Sequence, residues 1–168
     1  DAESLQKGDW IVHQRYGVGE VRAIDQKKLA GKERKYFRVK TQKGATYWLP
    51  INKKPDYIRF ISPRSKIEKT LKLISQEPEP LPKNYKSRNA YIAEELSEAD
   101  IYTKGSVIRD LYARGSNEDV NLTVIDTRRL DKLKEQLLRE MVVALDIDMN
   151  EAGAMLDKAL EKSISFIH

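Results

Sequence analysis

Short runs of apolar residues broken by polar turns fill the first third of the chain, and apolar positions recur every three or four residues after it. Trp10-Ile11-Val12, Val21 to Ile24, Lys35 to Lys40, Thr46 to Leu49 and Tyr57 to Ile61 are short runs rich in β-branched and aromatic residues, and they read as strands. Turn residues separate them: Gly8-Asp9, Gly17-Val18-Gly19, Leu29-Ala30-Gly31-Lys32, Gln42-Lys43-Gly44, and Pro50 to Pro55. About five short strands in about 60 residues predict a small, strongly bent SH3-like or Tudor-like barrel.

The period changes at Pro63. Ser65 and Glu68 have the spacing of a capping box, and Ile67, Leu71 and Ile74 follow at helical intervals. Glu77-Pro78-Glu79-Pro80-Leu81-Pro82 then reads as an extended linker, because alternating prolines cannot continue a helix. No proline follows residue 82. The pattern predicts a helix from about Asn84 to Leu96 and a second, capped by Ser97 or Asp100, carrying Ile101, Ile108, Leu111 and Tyr112 and ending at Gly115. A long helix runs to about Leu145 with Leu130, Leu133, Leu137 and Met141 on one face. The last starts at an Asp148/Glu151 capping-box variant, with Ala152, Met155, Leu156, Ala159 and Leu160 as its apolar stripe. These stripes read as the core of a four-helix packing. The expected fold class is α+β in two domains, an N-terminal small SH3/Tudor-like β-barrel over 1–62 and a C-terminal all-α helical bundle over 83–168. A short helix and the proline-rich linker, 63–82, join them.

Charge divides the chain in the same way. Residues 1–75 hold 18 Lys+Arg against 8 Asp+Glu, a formal +10; residues 76–168 hold 13 against 18, a formal −5, which together give the chain's +5. Both tryptophans lie in the first half. On the barrel, the lysine and arginine excess reads equally as solvation with edge protection or as attraction to an acidic partner or nucleic acid. With no cysteine there is no disulfide framework and no thiolate zinc site. No stretch has the length of a membrane span and no apolar leader segment follows the N-terminus, so the expectation is a soluble intracellular protein.

Catalytic chemistry is not evident. Gly17-Val18-Gly19 could belong to a phosphate-binding loop, but Arg22 stands where the fingerprint needs a third glycine and no helix pattern follows. A barrel turn is the better reading. His13 and His168 are far apart, outside any metal-ligand spacing. No nucleophile elbow or P-loop occurs, and no cofactor is expected.

The stretch Gly8-Asp9-Trp10-Ile11-Val12-His13-Gln14-Arg15-Tyr16-Gly17-Val18-Gly19-Glu20-Val21 resembles the opening of the CarD/CdnL family of bacterial transcription regulators, whose barrel also occurs in the transcription-repair coupling factor. Gln14 stands where the family commonly has proline. The resemblance continues through Gly31-Lys32-Glu33-Arg34-Lys35-Tyr36, Leu49-Pro50, Pro80 to Arg88, and Ile108-Arg109-Asp110-Leu111-Tyr112, in the family's order. The chain carries no helicase motifs, so the resemblance favours the regulators over the coupling factor. The resemblance implies a regulator without enzymatic activity, cytoplasmic and associated with the nucleoid through its partner. The barrel would bind the β subunit of RNA polymerase. The helical domain would reach promoter DNA at the upstream edge of the melted bubble, where an aromatic wedge in the minor groove stabilises the open complex.

Carried over residue by residue, the resemblance assigns polymerase binding to Lys27, Lys28 and Leu29, with Trp48 on the neighbouring strand, by strand addition assisted by charge. From the strand pattern alone Trp48 would be a core aromatic. Tyr47 and Trp48 must point to opposite faces, and the resemblance turns Trp48 outward. Trp10 is expected in the core. Tyr85 matches the wedge position, where the family usually carries tryptophan; by itself it reads as a half-buried aromatic at a helix start. Lys83, Lys86 and Arg88 would meet phosphates around it, and Arg128, Arg129, Lys132 and Lys134 form a second basic cluster, of which the first three would add phosphate contacts. The alternative is a stand-alone nucleic-acid-binding module that grips the backbone with its basic barrel. No membrane or small-molecule partner is expected.

Overall fold

The computed structural model describes residues 4–52 and 54–167; of Leu29 only the backbone is described, and His168 lies outside the described residues. The chain divides into two compact units, Asp1–Ile61 and Ser62–His168.

The first unit is a five-stranded antiparallel sheet, curved into a small barrel-like domain, of order β4-β3-β2-β1-β5. Its strands are β1 (Trp10–His13), β2 (Gly17–Leu29), β3 (Lys32–Thr41), β4 (Thr46–Pro50) and β5 (Ile58–Phe60). Ile11, Val21, Phe37, Val39, Leu49 and Ile58 form the core of its inner face. β2 is much longer than its apolar pattern implies, because the polar run to Lys28 pairs with β3. A two-residue turn joins the pair, with Ala30 and Gly31 at φ 52° and 77°. Positive φ at both central residues fits the right-handed twist of a hairpin. A register shift between Val21 and Ala23 bends β2 and raises its local twist.

The Gly17-Val18-Gly19 stretch is the turn and first residues of β2. Gly17 has φ 76°, and a Cβ on Gly19 would lie 2.8 Å from Val39 Cγ1 and 3.2 Å from the Lys40 carbonyl oxygen. A strand, not a helix, follows. Trp10, expected in the core, is half-buried at the first position of β1 and stands outside the buried cluster, which Ile11 enters instead.

The second unit is built from α1 (Arg64–Ile74), α2 (Tyr85–Glu95), α3 (Ile101–Ser116), α4 (Val124–Leu145) and α5 (Met149–Ile164), five helices rather than four. Segment 63–82 is not a linker. α1 packs on α3, α4 and α5 and adds Ile67 and Ile74 to the core. The proline run is fastened to the bundle: Leu81 is buried, and the Glu79 N–H donates to Asp110 Oδ1 at 2.9 Å. α1 also starts before the expected Ser65 cap. Pro63 is its N-cap without a side-chain bond, Ser65 lies within the first turn, and the Ser62 N–H is taken by the buried Glu140 carboxylate. Met155 faces solvent, while Ala152, Leu156, Ala159 and Leu160 bury as expected.

Replacing Gly19 by alanine forces its Cβ against backbone at the Lys40 carbonyl as well as against Val39. Gly19→Ala should destabilise the first unit by about 1–3 kcal/mol in urea unfolding followed by tryptophan fluorescence, a typical overpacking cost. An unchanged midpoint would mean that β3 yields freely at this point.

Candidate functional site

On the barrel, one cluster gathers on the outer face of β2, β3 and β4. Trp48 pairs with Arg38 across β4 and β3, and Arg38 pairs with Ala23 of β2. Directly opposed residues share a face, so alternation along β2 adds Asp25 and Lys27 to it. The side chains meet there. The Trp48 Nε1–H donates to Asp25 Oδ2 at 3.0 Å, and Lys27 Nζ lies 3.1 Å from the centroid of the indole ring. Arg38 Nε lies 3.7 Å from the same Asp25 oxygen. Trp48 is 38 % exposed even so, its ring held between a carboxylate and a cation. Tyr47 points the other way, toward the core and a group of rings with His13 and Tyr16. Burial, then the neighbouring Tyr57, pushes its phenol well above the usual range.

The structure therefore brings Lys27 and Trp48 together but not Lys28, which is exposed on the opposite face. The Leu29 side chain lies outside the described residues. Trp48 is not on a strand adjacent to β2: β3 lies between, and the indole reaches across it. β4 is an edge strand of the sheet. Asp25, which sequence reasoning missed, is the residue that orients the indole; its alternation with Lys27 was the available signal.

His13 is used by the fold. Its Nδ1 accepts the N–H groups of Arg15 at 2.9 Å and Tyr16 at 3.1 Å. Burial and then Arg15 hold its pKa below the ordinary imidazole value. Among the described residues no group of three His, Cys, Asp or Glu could hold a metal ion, and no helix is long and apolar enough to cross a membrane.

In the helical unit the candidate residues collect at the starts of α2 and α4. Asn84 caps α2, its Oδ1 accepting from the Lys86 and Ser87 N–H groups. Tyr85 is the first helical residue and is 53 % exposed; Lys83 and Lys86 flank it, also exposed. Arg88 departs from expectation. It is 1 % exposed, so it cannot lie against a phosphate. Its Nε and Nη2 donate to the two carboxylate oxygens of Asp126 at 3.1 and 2.9 Å, and its Nη1 donates to the carbonyls of Pro82 and Lys83. Spacing alone could not reveal this, because the partner lies 38 residues away.

Asp126 is occupied twice. It completes a capping box with Thr123: the Asp126 N–H donates to Thr123 Oγ1 and the Thr123 N–H to Asp126 Oδ2. Burial raises its pKa, but the bonds from Arg88 and Thr123 outweigh that and hold the carboxyl below the usual range. The pair thus joins the first turns of α2 and α4. Beyond it Arg128 and Lys132 are exposed on α4, Arg129 is half-buried, and Lys134 leans toward the Tyr112 ring at 5.7 Å. A second internal pair, Arg109–Asp110 at 2.8 Å, secures α3 to the proline run, and Arg109 also donates to the Leu73 carbonyl at the end of α1.

Two family models match the chain in succession. The CarD-like/TRCF RID domain matches residues 5–62, and the CarD C-terminal domain matches residues 69–157.

A carboxyl whose folded pKa is lowered adds stability that is complete above its unfolded value and is lost as pH falls to the folded one. Asp126→Asn leaves a buried guanidinium without its counter-charge, so it should cost about 3 kcal/mol or more near neutral pH. The gap to the wild type should narrow as pH falls through and below the ordinary carboxylate range. Urea unfolding at stepped pH checks this; a constant gap down to strongly acidic pH would contradict it.

Proposed function

The chain belongs to the CarD-like family, RNA-polymerase-interacting proteins of transcription, and from that premise we propose that it binds the β subunit of RNA polymerase through its barrel and stabilises the promoter open complex through minor-groove contacts of its helical unit. The observation that carries the reading is Tyr85. A large aromatic ring stands half in solvent on the first residue of a helix whose start is immobilised by a buried ion pair. An exposed ring contributes little to folding, and its position suits an edge inserted against an unstacked base step at the upstream end of the bubble. Lys83 and Lys86 beside it, with Arg128 and Lys132 on α4, would meet phosphates and set register. Arg88 supports these contacts from inside the fold. Arg129, half-buried, would contribute less.

On the barrel, the polymerase strand would add to the edge of β4, with Trp48 as the anchor and Lys27 opposite an acidic residue of the partner. Lys28 and Leu29 would act from the far end of β2, outside the Trp48 cluster. Regulation in this scheme needs no bond making or breaking by the protein, no cofactor and no small-molecule substrate. Its place of action is the cytoplasm, on the nucleoid where polymerase works.

A groove lined by Arg22, Arg38, Lys40 and Thr46 favours the second reading, in which the barrel itself grips nucleic acid. Its cations are partly spent, since Arg22 pairs with Glu20 at 2.6 Å and Arg38 approaches Asp25. The net-acidic composition of the helical half does not oppose DNA contact there, because screening confines a charge's reach to about 8 Å at physiological ionic strength. A steep salt dependence of duplex binding that survives removal of the Tyr85 cluster would favour this second reading.

With purified polymerase and a promoter fragment, Tyr85→Ala should shorten the open-complex lifetime about fivefold or more, the scale of one lost aromatic–base contact, with polymerase binding intact. Tyr85→Trp should lengthen it. An unchanged lifetime in both variants would assign Tyr85 to packing. Trp48→Ala should instead weaken polymerase binding by about 2 kcal/mol, roughly thirtyfold, as expected of an aromatic hot spot. Full retention of the β subunit by this variant would exclude the edge of β4 as the docking site.

A further inference from the structure

We propose that Val124 and Ile125, in the first turn of α4, form with Tyr85 a composite apolar wedge for the minor groove of duplex DNA. The proposal rests on the reading above and deepens it, assigning to α4 contact area that a lone tyrosine lacks. Val124 is 66 % exposed and Ile125 51 %. They add nothing to the bundle core, which α4 enters with Leu130, Leu133, Leu137 and Met141. Single exposed apolar residues are ordinary, but two in succession open a helix that Arg88 ties to the start of α2, where Tyr85 also stands exposed.

One guanidinium fixes the neighbourhood. Arg88 Nη1 donates to the Lys83 carbonyl at 2.9 Å, and Arg88 Nη2 donates to Asp126 Oδ2 at 2.9 Å. The entry to α2 and the first turn of α4 are each one hydrogen bond from the same group. Tyr85 follows Lys83 by two residues, and Val124 and Ile125 directly precede Asp126. The Thr123–Asp126 capping box fixes the backbone that carries them.

Charge around the patch selects the occupant. Lys83 and Lys86 are exposed on the α2 side, and Arg128 and Lys132, one turn apart, on the α4 side. The one carboxylate in the first turn of α4, Asp126, is buried and paired. Exposed cations thus outnumber the exposed carboxylate of Asp131 on these two helix starts, and apolar side chains among cations match the minor groove, where base edges lie between two rows of phosphate. Isoleucine is among the side chains that enter base steps there.

The test uses the full chain with purified polymerase and a promoter fragment. Val124→Thr with Ile125→Thr preserves β-branching but puts hydroxyls on the wedge, and both positions are exposed, so the melting temperature should not move. The open-complex lifetime should fall about fivefold, the scale of about 1 kcal/mol of lost apolar burial, with polymerase affinity unchanged. Val124→Leu with Ile125→Leu, which keeps the patch apolar, should retain the wild-type lifetime. A wild-type lifetime in the threonine variant overturns the inference, as does equal loss in the leucine variant. If Tyr85→Ala still shortens the lifetime in either case, the reading beneath the inference stands. If the wild-type chain itself leaves the lifetime unchanged, reading and inference fall together.

Discussion

The helical unit depends on one buried ion pair, Arg88 with Asp126. Removing two charges from water costs several kcal/mol for each ion, and such a pair holds only where geometry and further hydrogen bonds compensate. Here they do. The guanidinium gives four hydrogen bonds, two to the carboxylate and two to the backbone carbonyls of Pro82 and Lys83, and the carboxylate also receives the Thr123 N–H. The same two residues thereby end the proline run, orient the start of α2 and complete the cap of α4. An apolar pair of similar volume could fill the space but could not bond to those carbonyls, and register at the two helix starts would be lost. Tyr85, Val124 and Ile125 can stand in solvent without collapsing onto the core because the backbone beneath them is fixed by charge-assisted bonds.

The barrel solves a related problem with different means. Its edge strand carries a large exposed aromatic, which would swing freely or turn inward without support. Asp25 takes the indole N–H and Lys27 lies over the ring face, so polar neighbours hold the indole on the outer face of the sheet. Close packing lower in the sheet supplies the rigidity. Gly19 lets β2 and β3 approach within reach of the Lys40 carbonyl, and the kink between Val21 and Ala23 bends the sheet toward closure.

Much of the fold was legible because local signals agreed. Runs of β-branched and aromatic residues located the five strands, the Asp100 and Asp148 caps were in plain view, and Leu130 to Met141 marked the buried face of α4. Two losses have one cause. The proline run reads as a linker by composition, and Arg88 reads as a surface cation by its basic neighbours, yet both are captured by residues 31 to 38 positions away, Asp110 and Asp126. Side-chain bonds at such separations leave no periodic trace. At the candidate sites, alternation required Tyr47 and Trp48 to face opposite ways but did not say which was outward; the resemblance chose Trp48, and Tyr47 indeed points toward the core. Val124 and Ile125 gave no such signal, because the apolar pattern located the buried face and the end of α4 but not its first turn.

The central claim is that this chain prolongs the life of the melted promoter. Purified bacterial RNA polymerase, a linear promoter fragment and a competitor that traps released polymerase give that lifetime directly, with and without the protein at saturation. The account predicts a longer lifetime when the protein is present. An unchanged lifetime, measured while the protein is demonstrably bound to polymerase, would contradict it.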